Sequence, residues 1–377
     1  MSGSQPAFTF GIEEEYHLVD VSTRDAAPAP ETMMAALESA LGSQVSPEFL
    51  RSQIEVGTRP ANSFKTAREE LAGLRRTIAD AAREHGLAPI AAATHPFAVS
   101  TRLQTTEGER YRTIARDLAG VSWRMAICGM HVHVSIEDED LRIDIMNQVR
   151  YFLPHLLMLS TSSPFWEGQD TGLKSFRLAV NQECPRSGLP GYLHSWAEYQ
   201  SMIDVLVQAG VIEDATKIWW DVRPSARYPT LEARIADVCP RIDDAVAIAA
   251  LYVSVVRMLT RLRRANQSWR TYPLMLLEEN RWRAQRYGTS GTLFDFGKGT
   301  LVPARELTAE LLALVAEDAQ ALGCEGEIAR VARIVEEGTS ADRQITTFKA
   351  GLDKGLTKED ALWAVVDELI AETVADL

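Results

Sequence analysis

The chain has 377 residues, 46% of them hydrophobic and 24% charged, the balance of a folded protein with a large core rather than of a disordered or fibrous one. With 39 Lys and Arg against 52 Asp and Glu the formal net charge is −13, which argues against a nucleic-acid binder, since phosphate contacts need a concentrated basic face. It does not exclude an anionic small substrate, because a pocket can be basic or metal-lined beneath an acidic surface.

From the N-terminus, FTFGIEEEYHLVD over residues 8–20 reads as a strand, although acidic residues are poor strand formers and adjacent like charges repel. ETMMAALESALG over 31–42 reads as a short helix ending at Gly42, and SQIEVGT over 52–58 as a second strand. Phe64, Ala67, Leu71, Leu74, Ile78 and Ala82 recur at three- and four-residue steps, which predicts an amphipathic helix closed by Gly86. LAPIAAATHP (87–96) reads as a buried strand stopped by Pro96, and WRMAICGMHVHVSI (123–136) as another. Leu141 to Ser160 predicts a helix interrupted or restarted near Pro154, and Ser195 with Glu198 a capping box for a helix that stops at Gly210. IWWDVRPSARYPTLEARIAD (218–237) reads as two strands around a turn marked by Pro224 and Pro229. Residues 240–265 give the clearest helix, with Asp243 and Asp244 in its first turn and Arg261, Arg263 and Arg264 at its end, matching the helix dipole. Beyond about residue 300 everything reads helical. No repeat or linker interrupts the pattern, so one α+β domain over 1–377 is expected, a mixed or antiparallel sheet covered by helices, with a helical C-terminal portion.

Strand side chains alternate faces, so residues two apart point the same way. Glu13 and Glu15 therefore share a face, with Glu14 opposite, toward solvent or a partner. The same spacing places Gln53 with Glu55, His131 with His133, and Glu232 with Arg234. If these faces converge, Glu13, Glu15, Glu55, His131, His133 and Glu232 meet in one cavity. Several carboxylates cannot stay ionised together in a partly buried site without cations. Divalent ions with oxygen ligands solve that problem, and Mg²⁺ suits a site shared with phosphate oxygens. Each piece has a plainer reading: a charged edge strand for Glu13–Glu15, a surface Glu55, a core histidine, an internal ion pair between Glu232 and Arg234.

Arginines form the second signal: Arg223 and Arg227 flank the turn, and Arg281, Arg283 and Arg286 cluster in ENRWRAQRYG. In an acidic protein such clusters suit phosphate or carboxylate recognition, or else serve as partners for acidic helices. No Walker A loop, no GxGxxG after a strand and no GxSxG elbow occurs. A nucleotide would have to be held chiefly through metals and arginines.

Taken together, FGIEEEYHLVD, QIEVGTRP, GMHVHVSI, SSPFWEGQDTGLKSFR, WWDVRPSARYPTLEAR and ENRWRAQRYG resemble the glutamate–cysteine ligase type 2 family of bacterial ATP-dependent carboxylate–amine ligases, over about residues 8–290. The resemblance implies a glutamine-synthetase-like fold whose antiparallel sheet forms an active-site funnel, with ATP and two or three Mg²⁺ (or Mn²⁺) ions. It implies Glu13, Glu15, Glu55, His131 and Glu232 as metal ligands, leaving the role of His133 open. It makes Arg223, Arg227 and Arg234 candidates for phosphate or substrate-carboxylate contacts. Arg281, Arg283 and Arg286 are assigned to the nucleotide. The implied chemistry is amide formation through an acyl phosphate, with glutamate activated at its γ-carboxylate and cysteine as one amine; family members are often weak with cysteine, so the amine stays open. Partners would be small molecules, an amino acid and an amine, with a homodimer left open.

One rival reading takes His131, His133 and Glu137 as an HxHxxxE cupin-type motif of a metal-dependent oxygenase or isomerase. Glu137 opens a charged IEDEDLR stretch that looks like a loop or helix start, and a jelly roll needs more strands than this helix-rich chain offers. The four cysteines, Cys128, Cys184, Cys239 and Cys324, form no CxxC pair and read as reduced, buried thiols. MSGSQPAFTF lacks the features of a signal peptide, and no apolar run reaches membrane-spanning length, so a cytoplasmic protein without membrane contact is expected.

Overall fold

A computed structural model describes residues 8–377; most of the segment read as lacking a signal peptide lies outside these residues. Its centre is a seven-stranded antiparallel sheet. We label its strands in chain order: β1 (Phe10–Asp20), β2 (Val45–Pro47), β3 (Gln53–Gly57), β4 (Leu87–Ile90), β5 (Met130–Ser135), β6 (Val222–Pro224) and β7 (Thr230–Ala233). Their lateral order is β6-β7-β5-β1-β3-β2, with β4 also paired to β1. Strand β1 is long enough to serve two neighbours on one side: Phe10–Glu14 pairs with β5 and His17–Asp20 with β4.

The alternation expected of β1 is present. Phe10, Ile12, Tyr16 and Leu18 are buried on one face, while Gly11, Glu13 and Glu15 are partly exposed on the other. On the apolar face lie α2 (Phe64–Arg83), whose Ala67, Leu71, Leu74 and Ile78 point inward, and the long α8 (Ile242–Arg264). Helices α1 (Glu31–Leu41), α3 (Glu109–Leu118), α4 (Glu139–Val149), α5 (Leu153–Ser160), α6 (Arg177–Asn181), α7 (Trp196–Gln208) and α9 (Leu274–Tyr287) fill the intervening connections. From Ala304 the chain is helical, through α10 (Ala304–Leu322), α11 (Glu325–Glu337), α12 (Ser340–Asp353) and α13 (Lys358–Thr373). The α+β arrangement with a helical C-terminal portion is therefore as expected.

One expectation is narrowed and two need correction. Of the two environments open to Glu14, solvent is ruled out and the partner is found: it is fully buried under α2, where Arg75, itself 1% exposed, grips both its oxygens at 2.7 and 2.9 Å and Tyr16 donates its hydroxyl to it. The strand expected over 123–136 is confined to β5, because Ala119–Arg124 coils into a 3₁₀ turn. An apolar run of membrane-spanning length does exist, α8, but 83% of that stretch is buried inside the protein, as befits a core helix. Smaller departures are local. Ser195 caps α7 by accepting from the Glu198 amide, while the Glu198 carboxylate accepts from the amide of His194 instead of closing the box on Ser195.

Candidate active site

The polar face of the sheet is the floor of a cavity of about 410 Å³. Strand register alone brings the expected residues side by side. Glu13 lies opposite His131 on β5, Glu15 opposite Glu55 on β3, and Glu232 on β7 opposite His133. Adjacent positions on one face of a sheet place side chains within a few ångströms. The intervening residues Ile54, Val56, Met130, Val132, Val134, Leu231 and Ala233 point to the core and lock the register.

His131 stands between two carboxylate groups. Its Nδ1 is 3.2 Å from Glu13 and its Nε2 is 3.8 Å from Glu15. Two sets, Glu13–His131–Glu232 and Glu15–Glu55–His131, each hold candidate ligand atoms within 4.8 Å of one another. The donors fit a divalent cation: carboxylate oxygens plus an imidazole that burial, helped by Arg234, keeps neutral by lowering its pKa. The charge balance around Glu55 fits as well. Burial first, then the carboxylates of Glu48, Glu13 and Glu15, push its pKa well above the usual range, so this corner lacks positive charge.

The other end of the cavity is neutralised by the protein itself. Glu232 accepts from Arg223 at 2.9 and 3.2 Å and from Arg234. Although burial opposes it, this pair of guanidiniums holds the Glu232 carboxyl far below the ordinary range. The plainer reading of Glu232 as an ion-pair partner is thus part of the structure, beside its place in a potential ligand set. His133 lies 3.3 Å from Glu13 and contacts Thr230 through Nδ1 at 3.0 Å. Burial works against its charged form, but Glu13 and Glu232 outweigh it and raise its pKa.

Arg227 is exposed on the β6–β7 turn at the cavity edge, with no side-chain partner among the described residues. Arg281, Arg283 and Arg286 do not reach the cavity. All three sit on α9 and serve as braces: Arg281 is buried against Asp221 at 2.6 Å, Arg283 donates to Thr292, and Arg286 to the carbonyl of Gly172. Their spacing on a helix turned them toward neighbouring loops, so the expected nucleotide role finds no support in their placement. Glu137 is exposed beyond β5 and does not join His131 and His133, and a sheet with this order is not a jelly roll.

Sequence reading missed several residues of the cavity wall. Arg177 is 5% exposed, donates to the carbonyls of Arg234 and Ile235 at 3.0 and 3.2 Å, and keeps a buried Nε without a partner. It passes directly over Gly129, where a Cβ would lie 2.3 Å from Nη2. Glu48 and Arg110 complete the wall beside Glu55; burial and then Glu15 push the Glu48 pKa up to about 7. Arg177 belongs to the SSPFWEGQDTGLKSFR stretch, but nothing in its spacing marks it as inward-facing.

The chain matches the model of the glutamate–cysteine ligase family 2 over residues 9–366. A relative from Rhodospirillum rubrum, provisionally named glutamate–cysteine ligase 2, is 57% identical over 378 residues, covering 99% of this chain and 97% of that protein. One of the same provisional name from Jannaschia sp. is 52% identical over 374 residues, covering 99% of each. Among solved structures, the glutamate–cysteine ligase of Francisella tularensis in complex with AMP matches with a TM-score of 0.70 at 12% identity, over 98% of this chain and 90% of that one. A bifunctional glutathione synthetase from Pasteurella multocida matches with a TM-score of 0.67 at 14% identity, this chain spanning 53% of that one. Those likenesses speak to the fold, which is that of the glutamine-synthetase-like ligases. Sheet, site and sequence agree: the chain belongs to the glutamate–cysteine ligase family 2.

Proposed function

We propose that the protein is an ATP-dependent carboxylate–amine ligase that activates the γ-carboxylate of glutamate as an acyl phosphate and passes the acyl group to an amine. The observation that carries this reading is the convergence of Glu13, Glu15, Glu55, His131 and Glu232 in one cavity of a chain from this family. Hydroxide is a poor leaving group, so a carboxylate does not condense with an amine unaided. In the first step a carboxylate oxygen of the acid attacks the γ-phosphorus of ATP; the new O–P bond forms as the bond to ADP breaks. In the second step the amine nitrogen attacks the acyl carbon, the C–O bond to phosphate breaks, and the proton leaves the nitrogen for a base or solvent. Mg²⁺ or Mn²⁺ held by the carboxylates of these sets, with His131 completing one of them, would draw negative charge from the phosphate oxygens.

The protein's own groups orient and balance. Arg223 and Arg234 fix Glu232, and Arg234 also reaches to 3.4 Å from His131, so ligand orientation and positive charge are coupled. Arg177, whose buried Nε–H has no hydrogen-bond partner, and Arg227 at the rim suit phosphoryl or carboxylate oxygens. Four buried free cysteines suit a reducing compartment, and we place the protein in the cytoplasm, acting on small molecules.

The test is phosphate release from ATP. Purified protein with Mg²⁺ and ATP should release phosphate only when both glutamate and an amine are supplied, and chelation should abolish the release. Phosphate release that is indifferent to the acid would overturn the reading.

A further inference from the structure

A second chamber of about 540 Å³ abuts the first, and Thr216, Ser225, Ala226, Arg227 and Tyr228 line both. The β6–β7 turn is thus a partition between them. Like the first cavity, the second has a mixed lining, in which Trp196, Tyr199 and Ile203, one face of α7, supply the apolar part. Tyr199 is 2% exposed, and its buried hydroxyl has no hydrogen-bond partner. Leaving a buried hydroxyl unpaired is costly, and a polar group of a bound molecule would relieve it. The phenol also lies within electrostatic reach of Arg223 and Glu232 on the metal-cavity side and of Arg142 on the chamber side. It stands at the junction of the two spaces.

The lining is net negative by one, three carboxylates against the guanidiniums of Arg142 and Arg227. Glu137, Glu139 and Asp214 contribute carboxylates. Arg142 is already engaged, its Nε on the Ile136 carbonyl at 2.9 Å and its guanidinium 5.2 Å over the Trp196 ring. Arg227, at the partition, lies within electrostatic reach of Asp214. A ligand drawn here would be positively charged at one end and apolar in its body.

We infer that this chamber receives the amine co-substrate, and that it selects a primary amine with a bulky apolar or aromatic body larger than the side chain of cysteine. This rests on the ligase reading above. The amine would enter as an ammonium attracted by the rim carboxylates, bury its body against α7 and Tyr199, and present its nitrogen past the Ser225–Tyr228 turn to the acyl group.

The experiment pairs hydroxylamine, small enough to need no chamber, with a primary-amine series running from methylamine to 2-phenylethylamine and tryptamine. All are supplied with Mg²⁺, ATP and glutamate to the full-length protein. Wild-type kcat/KM should rise at least tenfold from methylamine to 2-phenylethylamine. Gln200→Trp, which fills the chamber from a half-buried position on α7, should cut the ratio of 2-phenylethylamine to hydroxylamine turnover at least tenfold. Ile203→Ala, which widens the floor, should shift the preference toward tryptamine. A flat amine series with hydroxamate still formed overturns the chamber and leaves the ligase reading standing, as does a size preference that survives Gln200→Trp unchanged. Absence of hydroxamate with glutamate overturns the ligase reading itself.

Discussion

At the scale of single residues, the three adjacent glutamates of β1 do two different jobs. Glu13 and Glu15 face the cavity; Glu14 is sealed beneath α2 with Arg75, which also donates to the carbonyls of Cys239 and Pro240. Alternation could be read from sequence, and it separated Glu14 from its neighbours. It could not reveal that the opposite face was covered, because the partner Arg75 lies 61 residues away on a helix whose other inward positions are apolar. The two kinds of glutamate should respond oppositely to the same change. Glu14→Gln leaves Arg75 buried without its counter-charge and should cost about 3–5 kcal/mol of stability, read as a lowered urea midpoint. Glu13→Gln removes one charge from a crowded cluster, but also the partner of His131 and His133, and should cost less, about 1 kcal/mol, while abolishing ATP turnover. A second contrast concerns Gly129. In Gly129→Ala the new methyl collides with the Arg177 guanidinium, which must leave its carbonyl partners. Turnover should fall at least tenfold, about 1.4 kcal/mol in barrier, and because Arg177 also lies 3.8 Å from the buried Asp237 carboxylate the melting temperature should fall too; unaltered turnover in the folded variant would show that the placement of Arg177 is irrelevant to the reaction.

At the scale of elements, the strands that carry the site were legible because their pattern is doubled: period-two apolarity for the core and period-two polarity for the cavity, as in β1, β5 and β7. The break between α4 and α5 was legible from Pro154, which occupies the first turn of α5. Helix α3 was not read at all, although Tyr111, Ile114, Ala115 and Leu118 recur at three- and four-residue steps and the first three pack against Phe49, Leu50 and Ala126; the stripe is short and mostly charged residues surround it. With it Arg110 went unnoticed. The C-terminal helices read correctly as helices, but their role did not follow from periodicity. Leu362, Val365, Val366 and Leu369 of α13 close a separate apolar cluster with Val19 of β1 and Ala88 and Ile90 of β4, and the Ala91 amide donates to Thr373 at 2.9 Å. Burial of such side chains contributes about 1.5–3 kcal/mol each, a sum that rivals the whole stability of a typical protein. Truncation after Gly355 should therefore yield protein that is insoluble or lacks a cooperative melt. A soluble truncated chain melting within a few degrees of the full-length protein would make α13 an appendage.

At the scale of the whole molecule, ionisable groups are sorted by burial into two opposing sets. Burial pushes the pKa of His95 and of His155 down to about 4, so both are neutral in the folded protein across the physiological range. An unfolded chain protonates them near 6.5, so as pH falls from about 6.5 toward 4 it takes up protons that the native state refuses. Stability is then lost on acidification at about 1.4 kcal/mol per pH unit for each such histidine. Glu48, raised to about 7, works the other way: its native form takes up a proton before an unfolded glutamate would, and stability rises as pH falls through that window. The net curve mixes the two signs, so a difference measurement is the informative one. His155 packs among Tyr151 and Phe152, with no partner for its Nδ1. His155→Phe keeps a flat ring there and removes the titration. Measured by urea unfolding, the stability of this variant relative to wild type should improve by about 2 kcal/mol between pH 8 and pH 5, whatever offset the repacking gives at pH 8. A relative stability that stays constant over that range would mean that His155 takes up its proton as readily inside the fold as outside it.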